Sequence, residues 1–209
     1  MNWLSKYEPS LRSSSFHRNA LAIARELLGP KAELVWEFAM MKPAFTGGEA
    51  SAHQDEASFT READYSRAVS VWIPLQDVDL RNGCMEYVQG SHLEPLHPHR
   101  SVGGDTRAHG LEAIIPGSPT FTPVPLRAGH ALIHHSRTLH YAGRNLSAVP
   151  RRAYILEFAV RSDKELMAEQ HPWILPSGRR AMHGSAAPRP NCSWPSNACA
   201  GSRSAPSGS

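Results

Sequence analysis

Cysteine is scarce in this chain, with three in 209 residues: Cys84 in the patterned part and Cys192 and Cys199 near the end. An odd count at that spacing excludes a disulfide framework and a zinc ribbon, and leaves free thiols in a reducing compartment. Long apolar runs are also missing. Nothing approaches the roughly 20 residues of a membrane span. The opening Met1-Asn2-Trp3-Leu4-Ser5-Lys6 lacks the apolar stretch of a secretory leader, and the closing Ser207-Gly208-Ser209 is not a peroxisomal address. A cytoplasmic protein without membrane contact is the expectation. Acidic residues are absent from His171 onward, where Arg179, Arg180, Arg189 and Arg203 supply +4 against a net charge of +3. The first 170 residues therefore carry −1, which excludes the basic folded face that nucleic-acid binding requires.

What is present is globular in character, with 20% charged and 41% hydrophobic residues and a length suited to one core. Ser13 to Leu28 reads as a helix, with Leu21, Ala24, Leu27 and Leu28 at helical spacing and a Gly29-Pro30 stop. From Glu33 to Val160 the chain reads as short strands between turn residues: 34–41, 52–59, 68–75, 84–88, 110–115, 126–134, 139–142 and 151–160. That density predicts an all-β sandwich or barrel with a flanking N-terminal helix. Asn82-Gly83 is a hairpin signal. After about His171, Pro, Ser, Gly, Ala and Arg dominate. The expected organisation is one domain over 1–174 and a disordered tail over 175–209.

Alternation assigns faces within the strands. Val69, Val71, Ile73 and Leu75 share one side, Ser70, Trp72 and Pro74 the other. In the last strand Tyr154, Leu156, Phe158 and Val160 form an apolar face. Arg151, Ala153, Ile155, Glu157 and Ala159 form a smaller, partly polar one, suited to the wall of a wet pocket. His53-Gln54-Asp55 places an imidazole and a carboxylate two residues apart, on one face if the segment is extended. With His140 downstream, two histidines and one carboxylate can hold Fe(II) while leaving positions open for a cosubstrate and dioxygen. His134 and His135 are the rivals for the third place.

Several blocks then occur in a telling order: Met41-Lys42-Pro43, His53-Gln54-Asp55-Glu56, Val71-Trp72-Ile73-Pro74-Leu75, Asn82-Gly83-Cys84, Gly90-Ser91-His92, Gly129 to His140, and Pro150-Arg151-Arg152-Ala153. Over roughly Leu28 to Val160 the chain resembles the phytanoyl-CoA dioxygenase family of Fe(II)- and 2-oxoglutarate-dependent oxygenases. The resemblance implies a double-stranded β-helix (a cupin-like jelly roll) that is N-terminally short for the family. It implies that His53, Asp55 and His140 bind Fe(II) and act in catalysis, and that Arg151 binds the distal carboxylate of 2-oxoglutarate. It also implies oxidative decarboxylation of 2-oxoglutarate by O2, yielding succinate and CO2, coupled to hydroxylation of a small lipid-like, acyl or specialised-metabolite substrate. Related halogenases lack the carboxylate supplied here by Asp55, which points to hydroxylation. Departures from the family pattern are Ala142 in place of a hydroxyl residue, His130 in place of an Asp, and Gln89 in place of a proline.

Arg151 is preferred over Arg152, because Arg152 shares the side of Tyr154, Leu156 and Phe158. Trp72 is a candidate wall of the cosubstrate pocket, with a plain core tryptophan as the alternative. Lys42 is expected to be a solvated strand-end charge. Of His134 and His135, one is expected buried and hydrogen-bonded, the other facing solvent. His92, His97, His99 and His109 fall in a loop of the kind that varies with substrate, while His17, His171 and His183 have no constellation around them. The last two strands are expected to run as a hairpin that brings Arg151 beside His140. A monomer is expected. The competing functions are a silent jelly-roll binding protein with a vestigial metal site and, more weakly, a zinc hydrolase.

Overall fold

The computed structural model describes residues 1–45, 48–58, 64–105 and 110–160, with 64–66 as backbone only. The expected tail and the 174/175 boundary lie outside these residues, as do His109, His171, His183, Cys192 and Cys199. Among the described residues, no helix is long and apolar enough to cross a membrane.

Helix α1 (Ser15–Leu28) opens the fold. The Ser14 hydroxyl accepts from the His17 N–H and caps it, and Gly29, at φ 100°, ends it in a conformation that favours glycine. Its buried stripe is His17, Ala20, Ala24 and Leu28. Leu27, expected on the apolar face, is exposed; it lies at the edge of the stripe that 20, 24 and 28 define, about 60° from its centre.

Ten strands follow: β1 (Ala32–Lys42), β2 (Ala50–His53), β3 (Asp64–Pro74), β4 (Met85–Tyr87), β5 (His99–Ser101), β6 (Leu111–Ala113), β7 (Thr122–Val124), β8 (Leu132–His135), β9 (His140–Ala142) and β10 (Arg151–Val160). They form two four-stranded antiparallel sheets, β1-β10-β3-β8 and β2-β9-β4-β7, with β5-β6 as a separate pair. This is the jelly roll. Strands β5 and β7 were not legible in the sequence, being three residues each and without clear alternation.

Strand β10 organises both layers. Its even-numbered side, Tyr154, Leu156, Phe158 and Val160, packs with Val69 and Val71 against Ala20, Ala24 and Leu28 of α1. The odd side, with Ala153 and Ile155, joins Trp72 to meet Cys84, Met85 and Ala142 of the opposite sheet. Burial on both faces explains why only Arg152 of the strand is exposed.

Two expected hairpins are absent. Strands β3 and β4 lie in different sheets, as do β9 and β10. The Asn82-Gly83 turn instead carries the chain across the sandwich. Asp79 accepts from the N–H groups of Arg81 and Asn82, its carbonyl accepts from Cys84, and Gly83 takes φ 80°. The residues after β3 are too many for a two-residue reversal, and Asp79 folds them into a local turn. Arg151 and His140 meet because both face the space between the sheets.

Candidate metal centre

Cross-strand register brings the two histidines together. His53, the last residue of β2, pairs directly with His140, the first of β9, and their ring centroids lie 4.4 Å apart. Asp55 does not share an extended segment with His53. The chain turns at Gln54, and Asp55 begins a 3-10 turn, Asp55–Ser58. Fully buried Gln54 forms that corner: its side chain accepts from the His97 N–H and donates to the Arg137 carbonyl, and its backbone N–H donates to His99 Nε2. The H-x-D ligands thus converge through a fixed bend rather than through strand periodicity.

The donor atoms of His53, Asp55 and His140 all lie within 4.8 Å of one another. Each histidine Nε2 is 3.6 Å from Asp55 Oδ1. Donors about 2.1 Å from one ion stand about 3.0 Å apart at right angles and about 3.6 Å at 120°, so the three can close on a single ion. The tautomers fit as well. His53 Nδ1 lies 2.7 Å from the Ser51 carbonyl and His140 Nδ1 2.8 Å from the Thr138 carbonyl. A carbonyl only accepts, so each Nδ1 carries the proton and each Nε2 lone pair faces the centre.

Asp55 has its second oxygen occupied. Oδ2 accepts from Ser70 Oγ at 2.6 Å and from His134 Nε2 at 3.1 Å, and His134 Nδ1 in turn accepts from the Tyr87 hydroxyl at 3.1 Å. Oδ1 alone remains for an ion. Burial pushes the Asp55 carboxyl up, but His140, His134 and His53 outweigh it and hold the group well below the usual carboxylate range. Burial, and next His53, push His140 down to about 3, which keeps it neutral. Burial lowers His53 too, yet the hydrogen bond to Asp55, the Asp55 charge and the Ser51 carbonyl together outweigh that and raise it. An ion would replace that proton.

Arg151 shares the cavity with the triad and is 1% exposed. Among the described residues its Nε and Nη2 have no hydrogen-bond partner, and its Cζ lies 5.4 Å from the Trp72 ring centroid. Burial lowers it to about 10, so it stays cationic at neutral pH. A buried guanidinium with an open fork is built for a carboxylate. Trp72 lines the same cavity, which holds about 370 Å³. Arg152 faces solvent.

Lys42 corrects an expectation. It is 4% exposed rather than solvated, and it donates to the carbonyls of Ala142 (2.7 Å) and Gly143 (2.5 Å), just past His140. Its alkyl stem is long enough to reach those C-terminal carbonyls of β9 from the facing sheet. His134 is buried as foreseen for one of the pair, whereas His135 is half-buried rather than solvent-facing, with its ring 5.9 Å from that of His92. Sequence reasoning passed over Gln54 and treated His134 as a rival ligand. The parity of β8, which turns Leu132 and His134 inward together, was the available signal.

A family model for phytanoyl-CoA dioxygenase matches residues 2–153, more than half of the chain. The chain belongs to the phytanoyl-CoA dioxygenase family. Among family relatives, phytanoyl-CoA dioxygenase domain-containing protein 1 of Bos taurus is 32% identical over 157 residues, covering 72% of this chain and 53% of that protein. The chain spans about half the length of the curated relatives it matches. EvdO2 from Micromonospora carbonacea var. aurantiaca, solved alone and with 2-oxoglutarate, superimposes with a TM-score of 0.72 at 31% identity, over 83% of this chain and 71% of that one. The epimerase SnoN from nogalamycin biosynthesis, solved with Fe3+, alpha ketoglutarate and nogalamycin RO, gives 0.63 at 28% identity over 76% and 62%. Membership of the phytanoyl-CoA dioxygenase family accords with the jelly roll and with a His-Asp-His cluster between its sheets.

Proposed function

We propose that this chain is an Fe(II)- and 2-oxoglutarate-dependent dioxygenase that hydroxylates a C–H bond of a small organic substrate, with release of succinate and CO2. One observation carries the reading: a buried guanidinium with no hydrogen-bond partner among the described residues on two of its nitrogens lines the same cavity as the His53, Asp55 and His140 donors. A zinc hydrolase has no use for that cation. When bound, Fe(II) supplies the redox chemistry that couples 2-oxoglutarate and dioxygen to attack on the substrate.

The chain's own residues do the positioning. His53, Asp55 and His140 would hold the iron, and because Ser70 and His134 engage the second oxygen of Asp55, that carboxylate would offer a single donor. Arg151 takes the distal carboxylate of 2-oxoglutarate over the face of Trp72, which orients the guanidinium by a cation–π contact. Phe38, Met85, Leu111 and Ile155 line the cavity and exclude water from the reaction. The substrate is a small molecule, and the reading supports a lipid-like, acyl or specialised-metabolite compound.

The test is succinate formation from 2-oxoglutarate with Fe(II) and oxygen. The wild type is expected to release succinate, and His53→Ala and Asp55→Ala are expected to abolish it. Equal release by all three proteins contradicts the assignment.

A further inference from the structure

The face of β10 that looks between the sheets ends in two different polar groups. Arg151 stands at one end. Six residues on, about 20 Å along a strand, Glu157 lines the same cavity. Glu157 is 6% exposed, and its Oε2 has no hydrogen-bond partner among the described residues. Neither the metal donors nor Arg151 accounts for it.

Register gives its place. Glu157 pairs across to Ser70 of β3, and Ser70 holds Asp55, so Glu157 stands at the triad's end of the cavity. Ile155 and Trp72 form the next pair along, and the Arg151 guanidinium lies over Trp72. A dicarboxylate that spans Arg151 and the triad brings only acceptor oxygens, so it supplies no donor to Glu157. Apolar groups share the cavity with it: Phe38 pairs with its strand neighbour Ile155 from β1, and Leu111 lines the cavity from β6.

A buried oxygen without a partner is costly, and an apolar side chain would fill this position more cheaply. A carboxyl accepts a hydrogen bond in either protonation state and donates one when protonated, and a hydroxyl can answer both roles. A hydroxyl donates without bringing a charge into an apolar chamber. We propose that Glu157 and the apolar groups that share its cavity form the substrate subsite, which takes a small, otherwise apolar molecule carrying a hydroxyl group. The inference rests on the oxygenase reading given above and names the substrate class for it.

Benzyl alcohol and ethylbenzene are matched probes, alike in shape and differing in the hydroxyl. Their affinities for the protein loaded with Fe(II) and 2-oxoglutarate without oxygen can be measured by ligand-observed NMR. The wild type is expected to prefer the alcohol by tenfold or more, since a site built around a polar group rejects the analogue lacking its partner. Glu157→Leu is expected to lose or reverse the preference, and Glu157→Gln, whose amide still accepts, to keep it. Equal affinities in the wild type, no binding of either probe, or an undiminished preference in Glu157→Leu overturns the subsite. The visible absorption of the iron and 2-oxoglutarate complex, read on the same wild-type sample, separates two failures. Its presence without an alcohol preference overturns this inference alone, and its absence overturns the oxygenase reading as well.

Discussion

Nε2 of His134 lies 3.1 Å from Oδ2 of Asp55, while Oδ1 faces the Nε2 atoms of His53 and His140, the proposed ligands. Groups that orient a metal ligand from behind typically contribute 10–100-fold in metal affinity. His134→Leu is expected to weaken Fe(II) binding by about that factor, and Ser70→Ala to act in the same direction. Titration with Fe(II) under anaerobic conditions checks both. Unchanged affinity in His134→Leu would show that the contact does not orient the carboxylate.

Among the described residues Arg151 has no acceptor for its Nε or Nη2, which fits the proposed role as anchor of the 2-oxoglutarate distal carboxylate. Arg151→Ala is expected to raise the 2-oxoglutarate concentration needed for half-saturation by at least about tenfold, the scale of one lost charge-assisted pair. Arg151→Lys is expected to rescue little of the loss, because an ammonium cannot present the planar fork. Full rescue by lysine would mean that only charge matters there.

Burial, and next the Arg151 charge, push Lys42 from 10.5 down to about 7. The unfolded chain keeps that proton up to about 10.4, while the folded chain releases it near 7. Between those values the unfolded state binds more protons, so Lys42 makes stability rise with pH across that window. The urea midpoint of the wild type, compared with that of Lys42→Met, is expected to climb from pH 7 to pH 10. Parallel profiles would place the charged amine in the folded state.

Gly83 takes φ 80°, and a Cβ there would run into the carbonyl of Gly143. That carbonyl also accepts from Lys42. Gly83→Ala is expected to destabilise the fold by about 1–3 kcal/mol through backbone strain and to displace the loop that follows β9. Denaturant unfolding measures the loss, and a midpoint equal to that of the wild type contradicts the close approach.

The helix and the longer strands were readable because alternation and spacing are local, whereas the three-residue β5 and β7 carry too little of either. Tyr154, Leu156 and Phe158 against Ile155 and Glu157 display the two faces of β10 without any knowledge of what covers them. The pairing of strands was not local. Asn82-Gly83 signals a reversal, but Asp79 turns it into a crossing between sheets, and no pattern within six residues announces which sheet receives β4. Arg151 was separable from Arg152 by parity, since one side of β10 is aliphatic. Lys42 was misjudged because its burial depends on carbonyls about 100 residues away. The bend at Gln54 was invisible for a similar reason: its partners, His97, His99 and Arg137, come from distant segments.

The most direct test of the account adds Fe(II) and 2-oxoglutarate to the purified protein without oxygen and records the visible spectrum. The account predicts the charge-transfer band of a 2-oxoglutarate chelate on iron, present in the wild type and absent in His140→Ala. A folded wild-type protein that shows no band, or a band that survives in His140→Ala, would contradict it.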